Sequence, residues 1–564
     1  MKKIFFGSLL VLSALSAQAQ VMMTLGDRRY DVSTVDSIVF TTIELPSAAT
    51  ALAESGDYTI FAEALQRTGL ADSMLVSEHE RLYTMDRPTD RQGYQLYYPQ
   101  IYNIGWTVFA EKDAVLRAAG INNFSDLVAK CKEWYGNPTW YNLIKEQNIN
   151  VSTADDYTSE WNVVHMFVAY HLVRAKMAVD EIVYENNYKT IANWNYCFGY
   201  EPQAYFETML PGTLLKVWQT NPKTSKELWV NRYVKNNTLT DQYATFGSDA
   251  IHPLVYSGAQ IDRQGSIETL NAYVHSIDHV LVYDQNACDA QHERMRFHVN
   301  QLLPELMTNQ FARATYREVS AWNRNGNGDR IAFPIDYFDH LHCYDPATIL
   351  RYNVTGAWRA LESTEMQGWG EKCDFAIRLP RVPSGKYEIR YMYAPMARGG
   401  EIEFYLGNDS TLSAMHQVNT LNATTDPMYG DMGYKQIDAY EGNYGIEAEK
   451  EMRQHGFMYA PASFSRGTYN TITDKLTVTD DDPYAACKQM TGSTCCRTES
   501  GYGTVQLRYI VSTVDLKQSE DHWLRLKINP TEGFSANDLG WMMNFVELVP
   551  IDVANNDTLM EDWY

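Results

Sequence analysis

The sequence has no uninterrupted apolar stretch long enough to cross a membrane, a span that needs about 20 apolar residues. It also lacks the local signatures of several enzyme classes: no GxSxG elbow, no phosphate-binding glycine loop, no dinucleotide fingerprint and no HExxH pair. The nearest approach is His292-Glu293-Arg294-Met295-Arg296-Phe297-His298, whose second histidine comes too late to share a helix face with the first. It reads as surface helix. Cations are scarce as well, 47 Lys and Arg against 70 Asp and Glu, for a net charge of −23. Such a surface repels phosphate backbones, which excludes nucleic acid as a partner. No CxxC pair occurs among Cys131, Cys197, Cys288, Cys343, Cys373, Cys487, Cys495 and Cys496, so no disulfide framework follows from spacing. Cys487 with Cys495 or Cys496 would staple one loop, and the others read as free or loosely paired core residues.

What is present begins with a leader. Lys2 and Lys3 precede an apolar run over residues 4–15, and Ala17-Gln18-Ala19 forms an A-x-A site, so cleavage after Ala19 is expected. No cysteine lies near that site to take a lipid. The leader and residues 30–40 (YDVSTVDSIVF) resemble exported proteins of the Bacteroides group. Four loose Asp-Ser/Thr triplets, at Asp36, Asp72, Asp409 and Asp557, are similar to that group's O-glycosylation sequon. The 564 residues exceed one ordinary core, so two or three domains are expected. Apolar residues make up 45% and charged ones 21%, as in ordinary globular proteins. Exposed, the 39 Tyr and 13 Trp would suit sugar or protein contacts; most read as core.

Residues 104–121 (IGWTVFAEKDAVLRAAGI) organise the first half. Trp106, Val108 and Ala110 alternate with Thr107 and Phe109 as in a strand, and Ala114, Val115, Leu116, Ala118 and Ala119 then suit a helix. Asp113 stands where a carboxylate favours a helix N-terminus. Thr107-Val108-Phe109-Ala110 with Asp113-Ala114 resembles the TVFAP(T/S)(D/N)xAF motif of the fasciclin family, with Glu111 and Lys112 in place of Pro and Ser/Thr. Three more stretches are similar to that family and fall in its order. They are residues 58–72 as an opening helix, Tyr170-His171 within FVAYHLV, and Asn271 to Leu281 (NAYVHSIDHVL) as a closing strand, where Ala272 replaces Gly. The resemblance implies an adhesion domain with Thr107, Phe109, Asp113, Tyr170, His171, Asn271, His275 and Asp278 as structural motif positions. There His171 and His275 would be hydrogen-bonded histidines on apolar strands rather than an acid–base set with Asp278. His171 and His275 are further apart than is usual in the family, and its short strands are expected within residues 214–234.

The rest divides by composition. His292, Met295, Val299, Leu302, Leu303, Leu306 and Met307 recur at helical spacing around Pro304, which reads as a kinked helical connector. Residues 323–329 (NRNGNGD) break the chain. Beyond them, short alternating stretches at 374–379, 387–393, 401–406, 523–528 and 544–550, separated by Pro/Gly turns, predict antiparallel strands. LPRVPSGKYEIRYMYAP and HWLRLKINP resemble the jelly-roll, galactose-binding-like modules that bind carbohydrate. The expected fold is therefore multidomain, α+β followed by all-β. Its parts are a signal peptide (1–19), a short strand region (20–45), a fasciclin-like α+β domain with insertions (46–285), a helical connector (286–330), an antiparallel β-sandwich (331–552) and a tail (553–564). The insertions at 176–265 and 419–484 have no assigned role.

Several clusters invite chemistry. His340 and His342 beside Cys343 would suit a metal, but no second cluster completes the site, and none is assigned. Asp480, Asp481 and Asp482 would suit Ca²⁺ in the sandwich, though a solvated loop is the favoured reading. No other cofactor is expected. Trp358 and Trp369 beside glycines, and Tyr429, Tyr434, Tyr440 and Tyr444 in the insertion, are candidate loop aromatics able to stack on sugars, with packing inside the fold the favoured reading for any single Trp, while Trp523 and Trp541 read as core. The functional expectation is an exported, non-catalytic adhesion or binding protein that meets an extracellular protein or glycan. The alternative is a glycan-binding accessory protein using the sandwich, and a glycoside-cleaving enzyme is a distant third because carboxylates abound.

Overall fold

The computed structural model describes residues 22–25, 28–31, 45–79, 102–183, 203–219, 227–234, 254–256, 258–309, 311, 330–334, 336–345, 348–353, 365–369, 373–393, 400–422, 453–459, 469–470, 475–476, 507–529 and 539–555. The chain forms two compact units, Met1–Leu45 and Pro46–Tyr564. The first contains an antiparallel pair of strands, Met22–Leu25 with Arg28–Asp31.

The larger unit is mixed α/β with several sheets. Its first sheet centres on a parallel pair. Trp106–Glu111 runs beside Ala272–Ile277, register Trp106↔Ala272 to Ile277↔Glu111. Leu172–Val173 flanks one side; Ala259–Ile261, Leu228–Val230, Leu214–Gln219 and Gln203–Glu207 follow on the other. The alternation over 106–110 predicts a half-exposed strand, yet all six residues of Trp106–Glu111 are buried. Both faces of this strand are covered, as parallel central strands require.

Helices pack nearby. Thr59–Arg67 buries Ile60, Phe61, Ala64 and Leu65, a single stripe at i, i+1, i+4 and i+5. Phe124–Tyr135 begins at Asn123, whose side chain accepts the Asp126 N–H at 3.0 Å. Val163–Tyr170 starts in the same way at Asn162 and is buried along nearly its whole length. It lies against Phe124–Tyr135, with the Trp134 and Phe167 rings stacked 5.8 Å apart.

The second half holds three larger antiparallel sheets. One orders Met295–His298, Phe545–Pro550, Gly385–Tyr393, Leu507–Leu516 and Phe457–Tyr459. A second orders Leu341–Cys343, Asp374–Leu379, His522–Asn529, Glu401–Gly407 and His416–Asn422. The third contains Arg330–Phe333, Ile349–Asn353, Glu365–Trp369 and Leu539–Met543. Ile402, Phe404 and Leu406 alternate with more exposed neighbours, so that sheet buries one face. Across it Phe404 meets Tyr391 and Tyr509 of the first-named sheet, each at 5.7 Å between ring centres.

Several expectations change. The connector is not a kinked helix over its described residues: among them only Gln285–Asp289, Val299–Leu302 and Glu305–Thr308 are helical, and Met295–His298 is a strand paired with Phe545–Pro550. The break at Pro304 is real, but Met295 through His298 are all buried, and a distant strand satisfies their backbone. His292 accordingly lies in a turn, where its ring pairs with Asp552 at 2.8 Å. Trp369 is not a loop residue; its backbone pairs with Ile349 and Leu539, with a register shift at Gly368. Trp523 is half-buried on the side opposite Leu524 rather than in the core. Trp358, Tyr429, Tyr434, Tyr440, Tyr444, Asp480, Asp481, Asp482, Cys197, Cys487, Cys495 and Cys496 lie outside the described residues. The four cysteines described as free are Cys131, Cys288, Cys343 and Cys373.

The two halves are fastened by polar contacts. Gln518, in the turn after Leu507–Leu516, is buried among residues of the first half. Its Nε2 donates to the Gly212 carbonyl at 2.8 Å and the Tyr283 hydroxyl at 2.9 Å, and its Oε1 accepts the Leu143 N–H at 3.1 Å. Gly212 has φ +71°, and a Cβ there would stand 2.9 Å from the Gln518 carbonyl oxygen. Only glycine suits that close left-handed position.

Candidate functional site

The motif positions of the first sheet form a largely hydrogen-bonded polar core, with Asn271 Oδ1 and Glu111 Oε2 left without partners. Thr107 donates to the Ala175 carbonyl at 2.6 Å and accepts the Met177 N–H at 3.1 Å, tying the strand to the chain after Val173. His275 lies beside it, fully buried; one ring nitrogen faces the Met177 carbonyl at 2.9 Å and the other the Ser266 hydroxyl at 2.8 Å. That pattern fits a neutral ring donating from Nε2. Burial lowers its pKa to about 4, against a small rise from the Met177 carbonyl. The Phe109 ring packs on it at 5.8 Å. Asn271 donates to the Met74 and Val76 carbonyls, and Tyr170 donates to the Leu214 carbonyl while accepting from Asn231.

Three motif residues depart from expectation. His171 caps the end of Val163–Tyr170 instead of lying on a strand, with Nδ1 2.7 Å from the Phe167 carbonyl and Nε2 2.9 Å from Glu111 Oε1. Both ring nitrogens face oxygen acceptors. Glu111, the residue in the family's Pro position, is thus the partner of the Tyr-His motif, and it also accepts the Leu281 N–H at 2.7 Å. Asp113 does not cap its own helix: its carboxylate accepts the Thr59 hydroxyl at 2.5 Å and the Ile60 N–H at 3.1 Å, capping the opening helix from across the fold. Asp278 lies beyond the strand with a side chain 46% exposed, accepting the Gln260 N–H at 2.6 Å. A polar residue so placed is not a buried group whose loss is costly.

A cleft of about 390 Å³ opens elsewhere, lined by both halves of the larger unit. His298 starts the one-turn helix Val299–Leu302, its side chain accepting the Asn300 N–H at 3.3 Å. Pro304 ends that turn and opens Glu305–Thr308. The result sets Asn300, Gln301, Glu305 and Thr308 on the cleft wall. Glu305 is only 4% exposed. Its Oε1 accepts the Asp339 N–H at 2.8 Å and lies 3.3 Å from the Tyr102 hydroxyl, which itself donates to Asp339 Oδ2 at 2.9 Å. Burial, countered by the Asp339 N–H and aided by the Asp339 charge, raises the Glu305 pKa to about 7. Burial and then these two carboxyls push the Tyr102 pKa up, which keeps its proton in place.

The opposite wall carries paired charges. Arg378 grips both oxygens of Glu207, one bond measuring 3.0 Å, and Arg381 reaches Asp521 at 2.9 Å. Burial pushes the Glu207 pKa up but Arg378 outweighs it, so the carboxyl lies below its ordinary range. His340 sits 2.9 Å from the Arg378 guanidinium; burial and then that cation lower its pKa to about 4. His342, by contrast, is exposed on the strand Leu341–Cys343. The two histidines therefore do not converge, and among the described residues no group of three His, Cys, Asp or Glu is placed to hold a metal.

Three atoms of cleft-lining residues, Asn300 Nδ2, Gln301 Oε1 and Glu305 Oε2, are covered by protein and have no hydrogen-bond partner, as is also true of Trp106 Nε1, Glu111 Oε2 and Asn271 Oδ1 in and beside the first sheet. Each costs the fold about 1–3 kcal/mol if left unmet. Sequence reasoning missed this site. The available signal was the polar set Asn300, Gln301 and Glu305 interrupting the apolar residues of the connector, around the same Pro304.

No family model matches the chain, and no curated protein matches it. Among solved structures, a FAS1 domain pair from the insect cell adhesion molecule fasciclin I is similar to 54% of this chain and 91% of its own, at 12% identity and a TM-score of 0.19. So slight a likeness decides nothing about activity. Among the described residues no helix is long and apolar enough to cross a membrane.

Proposed function

We propose that the protein is an exported, non-catalytic binding protein of the adhesion type, with a fasciclin-like α+β half and a β-sandwich half acting as one recognition body. The observation that carries this reading is the cleft of about 390 Å³ lined by both halves, with polar side chains of each on its wall. A concave site with a few polar groups among apolar ones on its wall is the usual form of a binding site. In this reading the buried hydrogen bonds of His171 and His275 serve the fold.

A second reading, glycan capture by the sandwich, draws on the outward side of its strands. There Tyr344 and Tyr405 flank the Arg525 guanidinium at 4.7 and 4.8 Å, beside Asp374 and Glu403. Aromatic rings next to fixed polar groups suit sugar faces. The test uses the full chain from Gln20 on a glycan array and a panel of extracellular matrix proteins, with product analysis of the same polysaccharides. Saturable binding without cleavage is expected. Absence of binding on both panels, or turnover of a polysaccharide, overturns the reading.

A further inference from the structure

Beside the cleft, the short strand Tyr102–Asn103 of the first half ends against Glu305–Thr308 and the turn that carries Asp339. The Tyr102 ring packs edge-on against Tyr337 at 5.6 Å, and Tyr337 belongs to an aromatic cluster with Phe311, Phe333 and Phe338. The Tyr102 hydroxyl stands between two carboxyls, 2.9 Å from Asp339 Oδ2 and 3.3 Å from Glu305 Oε1. Glu305 Oε1 also accepts the Asp339 N–H at 2.8 Å. Next along the strand, the Asn309 side-chain oxygen accepts the backbone and amide N–H groups of Asn103 at 3.0 and 2.9 Å. From this geometry we propose that Glu305 is a pH-sensitive latch. Protonated, it clamps Tyr102–Asn103 to Glu305–Thr308 and to the Asp339 turn; ionised, it lets this joint open locally while the sheets on either side stay closed.

Burial and charge decide which of the two carboxyls holds the proton. Glu305 is 4% exposed, whereas the Asp339 side chain is 34% exposed and faces Arg174 at 4.0 Å. Two carboxyls that share one hydroxyl donor resist ionising together, and the buried one gives way. The other charges nearby are directed elsewhere. Lys176 turns its ammonium to the Thr269 and Leu270 carbonyls and towards Glu268. On the sandwich side Arg378 holds Glu207, and burial followed by Arg378 lowers the His340 pKa to about 4, so that ring is neutral above it. Tyr102, pushed up by burial and then by the two carboxyls, keeps its proton throughout. The folded Glu305 pKa of about 7 lies above the ordinary 4.5, so the latch holds fully below about pH 4.5 and weakens as the pH rises through 7. Opening the joint returns the carboxylate to water, which relieves the cost of its charge.

The experiment is hydrogen exchange on the full chain without ligand, at pH 5.5 and pH 8.5, with each rate divided by its intrinsic rate at that pH. Protection over residues 102–105, 305–309 and 337–341 should fall by roughly thirty-fold between the two, the ratio set by pKa values of 7 closed and 4.5 open. Throughout, these segments should exchange faster than the central strand Trp106–Glu111. Glu305→Gln, neutral at every pH, should keep its pH 5.5 protection at pH 8.5. If that variant does not fold, Asp339→Asn takes its place: with one charge fewer beside Glu305, the fall should level off at a lower pH. Protection at the joint that ignores pH overturns the latch, as does an equal fall in Glu305→Gln or an unshifted profile in Asp339→Asn. Joint segments that exchange only at the rate of Trp106–Glu111 open by global unfolding, and this too overturns it. Because no ligand is present, failure here leaves the binding reading standing, and an empty glycan and matrix panel leaves the latch standing.

Discussion

Thr107 and His275 sit on the paired central strands of the first sheet with their hydrogen bonds made, whereas Asn300, Gln301 and Glu305, which line the cleft, each keep a covered atom unpaired. The second half has its own closed centre, where buried Glu547 meets Arg296 at 2.7 Å and both Arg390 and Arg508 at 3.3 Å. Burial alone would raise the Glu547 pKa, but these arginines, Arg508 foremost, hold it well below the usual carboxylate range. The contrast separates groups that hold the fold from groups that weaken it. A polar group whose partners all lie on the same chain fixes register and orientation, and a buried one left unpaired is a local cost to the fold.

The comparison breaks first at its most closed point. Glu547→Ala removes a carboxylate shared by three buried arginines and should cost about 3–5 kcal/mol, the usual penalty for halving a buried ion pair. Chemical denaturation of the full chain measures it, and a loss under 1 kcal/mol would mean the cluster is wetter than its burial indicates.

Glu305 should behave in the opposite sense. Its folded pKa of about 7 exceeds the ordinary 4.5, so its contribution to stability is complete below about pH 4.5 and lost as the pH rises through 7. Glu305→Gln keeps the neutral form at all pH values. It should stabilise the protein at pH 8 by up to ~3 kcal/mol and change little at pH 4.5, since each pKa unit is worth about 1.4 kcal/mol. Urea midpoints at the two pH values give the answer, and equal midpoints at pH 8 remove the claim.

The sharpest contrast lies within one motif. His275→Ala removes two buried hydrogen bonds and should cost about 1–3 kcal/mol near neutral pH. The cost should shrink as the pH falls from 6.5 towards 4, because the native ring, with its pKa of about 4, resists protonation that the unfolded chain accepts. Asp278→Ala, on a side chain 46% exposed, should cost under about 1 kcal/mol. Thermal melts of both variants at pH 7 and pH 5 test the pair; equal losses would erase the distinction.

Much of the local structure was legible in sequence. The strand at Trp106, the helix from Asp113 and the strands at Asp374–Leu379, Gly385–Tyr393 and Glu401–Gly407 follow from alternation and propensity, which are local properties. What escaped depends on distant partners. Met295–His298 is a strand because Phe545–Pro550 lies beside it, although its apolar spacing suits a helix. Asp113 caps a helix it does not belong to, and Glu111 owes its place to His171. The cleft was hidden for the same reason. Its walls come from stretches around Tyr102, Glu207, Glu305, Asp339 and Arg378, which no window of sequence brings together.

The insertion of Gln518 into the first half also sets an order of events during synthesis. Leu143 waits for a partner 375 positions further along the chain, and Arg296 for Glu547, 251 positions on. Contacts so remote slow folding, because a long loop must close before they form. The first sheet can assemble as it leaves the ribosome, but the Gly212 carbonyl and the edge of Met295–His298 stay uncovered until nearly the whole chain is made. An exposed strand edge of that kind is a template for pairing with other chains. A nascent chain stopped short of Gln518 is therefore a client for chaperones rather than a smaller working protein.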